Sequence, residues 1–217
     1  MATRSATAAA LPEPAPRKKR RPYRREQILE SAVELFQRNG YHATGMDEIG
    51  ATAGITGPAI YRHFKNKEDI LETLLMEMSE QTLAAAQALV LEAATPAQAL
   101  RSLVEFSADA LLENPPLAYV AQYERRTLPP KSRAALDKVE RQYFEAWLKP
   151  LCEVRPDLSE AEARVIVHAA VGMATAATTY KADIDRETAH RLVVAMMMNA
   201  LLVPRRALTR PRRPRTD

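Results

Sequence analysis

Five of the chain's six glycines lie between positions 40 and 57: Gly40, Gly45, Gly50, Gly54 and Gly57. The sixth is Gly172. In a chain of 217 residues this confines turn-rich, closely packed backbone to one short early segment. Prolines mark the opposite places, the tails and the punctuation points Pro96, Pro115-Pro116, Pro129-Pro130, Pro156 and Pro204. Between them run stretches rich in Ala, Leu, Glu and Arg with apolar residues at helical spacing. No run of β-branched residues alternates with period two, and Asn39-Gly40 closes a helical pattern rather than opening a hairpin. The chain reads as all-α.

The first helix begins near Pro22, carries the stripe Ile28, Leu29, Ala32, Val33, Leu35 and Phe36, and stops at Gly40. A short second helix starts at Thr44, with Asp47 three residues on as a variant capping box, and breaks at Gly54. A third follows Thr56, and a long fourth follows Asn66, with Glu68 and Asp69 in a first turn that suits acids. Later helices are expected over 96–113, 117–127, 131–154, 159–181 and 187–203, with caps at Thr95-Pro96 and Ser159/Glu162.

Charge is distributed unevenly. Residues 1–25 hold eight Lys/Arg against Glu13, and residues 204–217 hold six Arg against Asp217, whereas the whole chain is only +4. An acidic body therefore sits between two basic ends, expected to be a disordered arm (1–21) and a disordered tail (205–217). Basic ends attract phosphate or merely solubilise; charge alone does not choose. A single cysteine, Cys152, excludes an internal disulfide and a Cys-rich zinc site and makes a reducing, cytoplasmic setting the default. The most apolar stretch, 192–203, is about twelve residues long and contains Asn199, short of the ~20 that a membrane span needs. The N-terminus lacks the apolar core of a secretory signal.

Two short helices around a Gly-containing turn give a helix-turn-helix layout over residues 46–64. Ile49, Ala53, Ile55 and Ile60 face inward, and Gly54 supplies a left-handed turn. The third helix is left with Thr56, Gly57, Pro58, Ala59, Tyr61 and Arg62 outward. Phe36–Ile70 then resembles the DNA-binding domain of TetR-family transcriptional regulators. The resemblance rests on Asn39-Gly40-Tyr41, Thr44, Asp47-Glu48-Ile49, Ala53-Gly54-Ile55-Thr56, Ile60-Tyr61-Arg62-His63-Phe64 and Lys67-Glu68-Asp69.

That resemblance implies an N-terminal helix-turn-helix domain (22–67) and a C-terminal ligand-binding and dimerisation domain (68–204). It also implies a homodimer that binds double-stranded palindromic operator DNA, with repression lifted by a small effector. Thr56, Gly57, Pro58 and Ala59 match the start of the recognition helix. Pro58 is limited to apolar contact, such as a thymine methyl, and Arg62 donates to guanine or phosphate. Tyr61, His63 and Lys67 match phosphate-contacting positions, and Thr44 offers a hydroxyl and an amide to another phosphate. Packing is the rival role for Tyr61 and His63, and Phe64 is expected in the core. Residues 26–70 carry four Lys/Arg against seven acids, so the basic arm Arg17–Arg25 is expected to supply much of the long-range attraction.

In the body, the ligand candidates are Phe106, Tyr119, Gln122, Tyr123, Trp147, His168 and Thr175. An aromatic stripe that also includes Leu103, Tyr143 and Phe144 is more often core than ligand box. The pocket implied suits a hydrophobic effector. The Gly40–Gly50 string is also similar to lipid-related actinobacterial members, which implies a fatty-acyl effector as one option. The dimer face is expected on the last two helices, at Ala169, Gly172, Ala176, Val193, Met197 and Leu201, with an intramolecular core as the alternative. No phosphate loop, dinucleotide turn, nucleophile elbow or metal-binding histidine pair is present, so neither catalysis nor a cofactor is expected. The rival class is a nonspecific architectural DNA binder held by its basic ends.

Overall fold

The computed structural model describes residues 21–179 and 183–208. The expected basic arm up to Arg20, Tyr180 and Lys181 at the end of the predicted eighth helix, and residues 209–217 of the tail lie outside the described residues. Every regular element within them is helical.

Helix α1 (Arg21–Asn39) buries its whole predicted stripe. It ends on Gly40, whose φ of +81° lets its N–H reach back to the Phe36 carbonyl at 3.0 Å. Helix α2 (Met46–Thr52) and helix α3 (Gly57–Ile60) are joined through Gly54, at φ +66°. α2 starts two residues later than expected. Gly45 occupies the cap without a side-chain bond, because the Thr44 hydroxyl instead donates to the Gly40 carbonyl at 2.9 Å.

Helix α4 (Lys67–Glu92) is capped by Asn66, which accepts from the Asp69 N–H at 2.8 Å. At 1.5 Å per residue it runs about 39 Å, long enough to serve both halves of the molecule. Helix α5 (Pro96–Glu113) carries the predicted Thr95 cap. Helix α6 (Pro115–Tyr123) begins earlier than expected, because Asn114 caps it and Pro115-Pro116 form its first turn. A 3-10 turn, Arg125–Thr127, finishes it. Helices α7 (Pro130–Val154), α8 (Glu160–Thr179), α9 (Arg186–Leu201) and the short α10 (Arg205–Leu208) complete the chain. The Ser159/Glu162 capping box forms in both directions, at 2.8 and 3.3 Å.

Two apolar clusters hold these helices. The first joins α1–α3 and the start of α4 (Ile70, Leu71, Leu74, Leu75) and continues into Val120 of α6, Leu128, and Leu136 of α7. The second gathers Ala86 of α4 with α5, α7, α8 and α9 around Trp147 and Leu151. At its far end Arg155 is buried, with a two-pronged bond to Asp157 and a further bond to the Leu201 carbonyl at 3.1 Å. Nearby, Arg205 and the Ser159 cap hold the Glu162 carboxyl down at about 2.

Candidate DNA-reading head and effector cavity

The outward face of the head matches the sequence expectation at most positions. Ile60 is fully buried against α2, which turns Thr56, Pro58, Tyr61 and Arg62 to solvent and leaves Gly57, Ala59 and His63 half-buried. Among the described residues, Tyr61 and Arg62 have no side-chain partner, so the phenol and guanidinium are free to donate outward. Phe64 is core, and the Arg25 guanidinium lies 5.4 Å from its ring centre. Arg25 also pairs with Glu77 on α4 at 2.6 Å, so this member of the basic arm is tied into the fold.

Gly57 matters for a close approach. A Cβ there would fall 2.7 Å from Oδ1 of Asp47, so the absent side chain lets a carboxylate sit against the first turn of the recognition helix.

Two expected phosphate contacts are corrected. Thr44 is only 2% exposed and its hydroxyl serves the Gly40 carbonyl, so that hydroxyl is not offered to DNA. Lys67 points its ammonium at the carbonyls of Tyr41 (2.6 Å), Thr44 (2.6 Å) and His42 (3.2 Å), and lies over the Tyr41 ring. An ammonium has three protons, and three carbonyls use them. Lys67 therefore clamps the α1–α2 loop from inside. Burial pushes its pKa below the ordinary lysine range, against the opposing pull of Glu124.

Helices α4, α5, α6, α7 and α8 border a two-lobed cavity that is partly open to solvent. The inner lobe, about 420 Å³, is walled by Phe106, Leu111, Leu117 and Ala121. The outer lobe, about 410 Å³, reaches Ser79, Phe144 and His168. Met78, Thr82, Gln122, Tyr143 and Thr175 line both. Of the predicted ligand residues, Phe106, Gln122, His168 and Thr175 are thus brought together.

Tyr119, Tyr123 and Trp147 are not. Tyr119 packs on the head cluster and against Tyr123, ring centres 4.6 Å apart, on the side of α6 away from the cavity. Trp147 is fully buried in the second cluster. Ser107, Thr82, Glu140 and Arg125 were missed as cavity residues, and Tyr143, of the aromatic stripe, lines both lobes. Ser107, a hydroxyl on the apolar face of α5, was the available signal. Its Oγ lies 2.9 Å from the Tyr143 hydroxyl, whose pKa burial raises. Arg125 is bound by both Asp137 and Glu140, which hold its pKa up.

Helix α6 belongs to cavity and head at once. Leu117 and Ala121 line the inner lobe and also pack against the head cluster, in which Val120 is fully buried. One residue past the helix, the Glu124 carboxylate accepts the Tyr41 N–H at 3.2 Å, in the loop that Lys67 clamps.

The expected dimer face divides. Ala169, Gly172 and Ala176 lie on the solvent side of α8, beside Val165, which is 69% exposed. Val193, Met197 and Leu201 are buried in their own subunit's second cluster. The outward stripe of α9 is offset by one residue, at Leu192 (52% exposed) and Met196 (49%). No helix among the described residues is long and apolar enough to cross a membrane, and no described trio of metal-ligating side chains comes together.

Comparison with known proteins agrees with this layout. Residues 28–74 match the family model for bacterial regulatory proteins of the tetR family. The chain is 32% identical over 118 residues to the fatty acid metabolism regulator protein of Bacillus subtilis, a stretch covering 54% of this chain and 61% of that regulator. It is 28% identical over 163 residues to the HTH-type transcriptional activator FasR of Mycolicibacterium smegmatis, covering 75% and 74%. The crystal structure of FadR from Bacillus subtilis, solved with stearoyl-CoA, superposes with a TM-score of 0.66 at 25% identity, over 81% of this chain and 98% of that one. With the helix-turn-helix geometry of α2 and α3, these matches show that residues 28–74 form a DNA-binding domain of the tetR family of bacterial regulatory proteins, in a chain whose fold is that of TetR-family regulators.

Proposed function

We propose that this protein is a homodimeric repressor that leaves a palindromic operator when an apolar effector, a fatty-acyl compound, enters the body cavity. The observation that carries the reading is the shared use of α6: Leu117 and Ala121 wall the inner lobe and support the head core with the same side chains. An occupant that moves α6 must disturb the packing of α1 and the Glu124–Tyr41 bond. A ligand shifts such an equilibrium only by its differential affinity for the two arrangements, and the cavity supplies that difference. In this reading, filling it weakens DNA binding and releases the operator.

In this reading Thr56, Gly57, Pro58 and Ala59 approach base edges, while Tyr61, Arg62 and His63 reach bases and phosphates. Two copies pair through the outward faces of α8 and α9, with Val165, Ala169, Gly172 and Ala176 meeting Leu192 and Met196 across a two-fold axis. The two recognition helices then address half-sites about one DNA turn apart, ~34 Å or somewhat more. The acyl class is supported by the aliphatic and aromatic inner wall and by the fatty-acid and stearoyl-CoA regulators among the similar proteins.

The test is fluorescence anisotropy on operator DNA recovered by genome-wide binding, with and without palmitoyl-CoA. Specific binding at least ~10³-fold over random DNA, lost on adding the acyl compound, is the expected result. Equal affinity for random DNA would favour the architectural alternative, and tighter operator binding with ligand would reverse the sign of regulation.

A further inference from the structure

The cavity has an outlet with its own chemistry. Between α7 and α8 lies a smaller cavity of about 220 Å³, lined by Asp137, Glu140, Arg141, Phe144, Arg164 and His168. Glu140, Phe144 and His168 also line the outer lobe, so the two spaces adjoin.

The hydroxyls and the charged groups of the inner lobe are already committed. The Ser107 hydroxyl lies 2.8 Å from the Leu103 carbonyl and donates to it, which leaves the Tyr143 hydroxyl to donate to Ser107 at 2.9 Å. Each hydroxyl has a single proton, so this pair has none left for a ligand. Arg125 is held by Asp137 and Glu140. A ligand's apolar chain fits the lobe, where Gln122 can meet a neutral polar group, but an anionic end must find an unpaired cation elsewhere.

At the outlet the charges are not equally free. Asp137 and Glu140 are turned on Arg125, and Arg164 is matched by Glu145 and by Glu160 at 2.7 Å. Arg141 is exposed and has no ion-pair partner among the described residues. His168 stacks on Phe144, ring centres 3.8 Å apart, and its ring nitrogens have no hydrogen-bond partner among the described residues. An unpaired guanidinium beside an unpaired imidazole, at the mouth of an apolar cavity, suits an anion with several acceptor oxygens.

We propose that the groove between α7 and α8 is an anion subsite, with Arg141 as its cation and His168 as a second donor. It holds the phosphate-bearing head of an acyl conjugate whose chain fills the body cavity. This rests on the acyl-effector reading and adds to it a direction: chain toward α5 and α6, head out between α7 and α8.

Calorimetric titration of the full-length protein separates the possibilities with three probes: palmitoyl-CoA, S-palmitoyl-pantetheine, which lacks phosphate, and palmitate. Arg141→Gln should weaken palmitoyl-CoA about ten-fold at low salt, the scale of one charge-assisted contact. It should leave palmitoyl-pantetheine unchanged, and the exposed control Lys149→Gln should change neither. An unaltered melting curve is expected for both variants, since each side chain is exposed. If Arg141→Gln leaves palmitoyl-CoA unaffected, weakens the phosphate-free probe equally, or weakens palmitate alone, the phosphate subsite is overturned while the acyl reading stands. If none of the three probes binds the unmodified protein, the acyl reading itself fails and takes the subsite with it.

Discussion

The head and the body use α4 and α6 in common, but they present function in different ways. In the head, the outward residues follow from local pattern, because a four-residue helix locked by one buried Ile60 has few ways to lie. In the body, the proposed effector site is a space between five helices, and no one helix determines which side chains reach it. Apart from the Asp47–Gly57 pair, the head's outward residues can therefore be altered one at a time, whereas the body's cavity shares its walls with the scaffold.

The sharpest way to break this contrast is to strike the cluster that both halves share. Phe36→Ala should cost about 3–5 kcal/mol, as expected for a fully buried aromatic. Because the cluster runs from α1 to Leu136, melting followed by calorimetry should shift as one transition. A body transition that stayed in place would show the two regions to be independent. Lys67→Met should cost about 1.5–3 kcal/mol of stability without DNA present, since the clamp on three loop carbonyls is lost. A variant that melts normally but binds operator poorly would return Lys67 to the role of phosphate contact.

Arg62→Ala tests the surface side of the comparison. It should weaken operator binding by about 1–3 kcal/mol and leave the melting temperature alone, as suits an exposed side chain without internal partners. Gly50→Ala is expected to stabilise by about 0.5–1 kcal/mol in chemical denaturation, because a Cβ at this helical position would meet Ile55 and Ile60 at ordinary distances of 3.6 and 3.8 Å. Destabilisation instead would mean that α2 and α3 are packed more tightly than those distances allow. The smallest effect concerns the cap of α8. Glu162 has its carboxyl depressed to about 2, so its contribution is fully present above the ordinary glutamate range and is lost as pH falls through about 2. A carboxyl carbon titrating near 4.5 by NMR would remove Arg205 and Ser159 as its partners.

Much of the architecture was legible because helix signals are local. The stripe of α1, the left-handed glycines at 40 and 54, and the caps at Asn66, Thr95 and Ser159 all lie within a few residues of their effects. What failed to read out depended on distance or on a one-residue offset. Thr44 has the look of a helix cap, yet a carbonyl four residues back takes its hydroxyl. Lys67 meets partners more than twenty residues away, which spacing cannot reveal. On α9 the stripes at Val193/Met197/Leu201 and Leu192/Met196 are both apolar, and only the packing of α5 and α8 decides which turns inward. On α6 the large rings of Tyr119 and Tyr123 suggested a ligand box, but the opposite face, with Leu117, Ala118, Ala121 and Gln122, borders the cavity.

The close approach of Asp47 to Gly57 bears on how such a head changes over generations. Any side chain at position 57 displaces the exposed Asp47 carboxylate, and with it a negative charge at the edge of the recognition helix. The two positions are thus a single heritable unit. Among descendants that acquire new operators, residue 57 should gain bulk where residue 47 shortens or changes sign, while 56 and 58 drift independently.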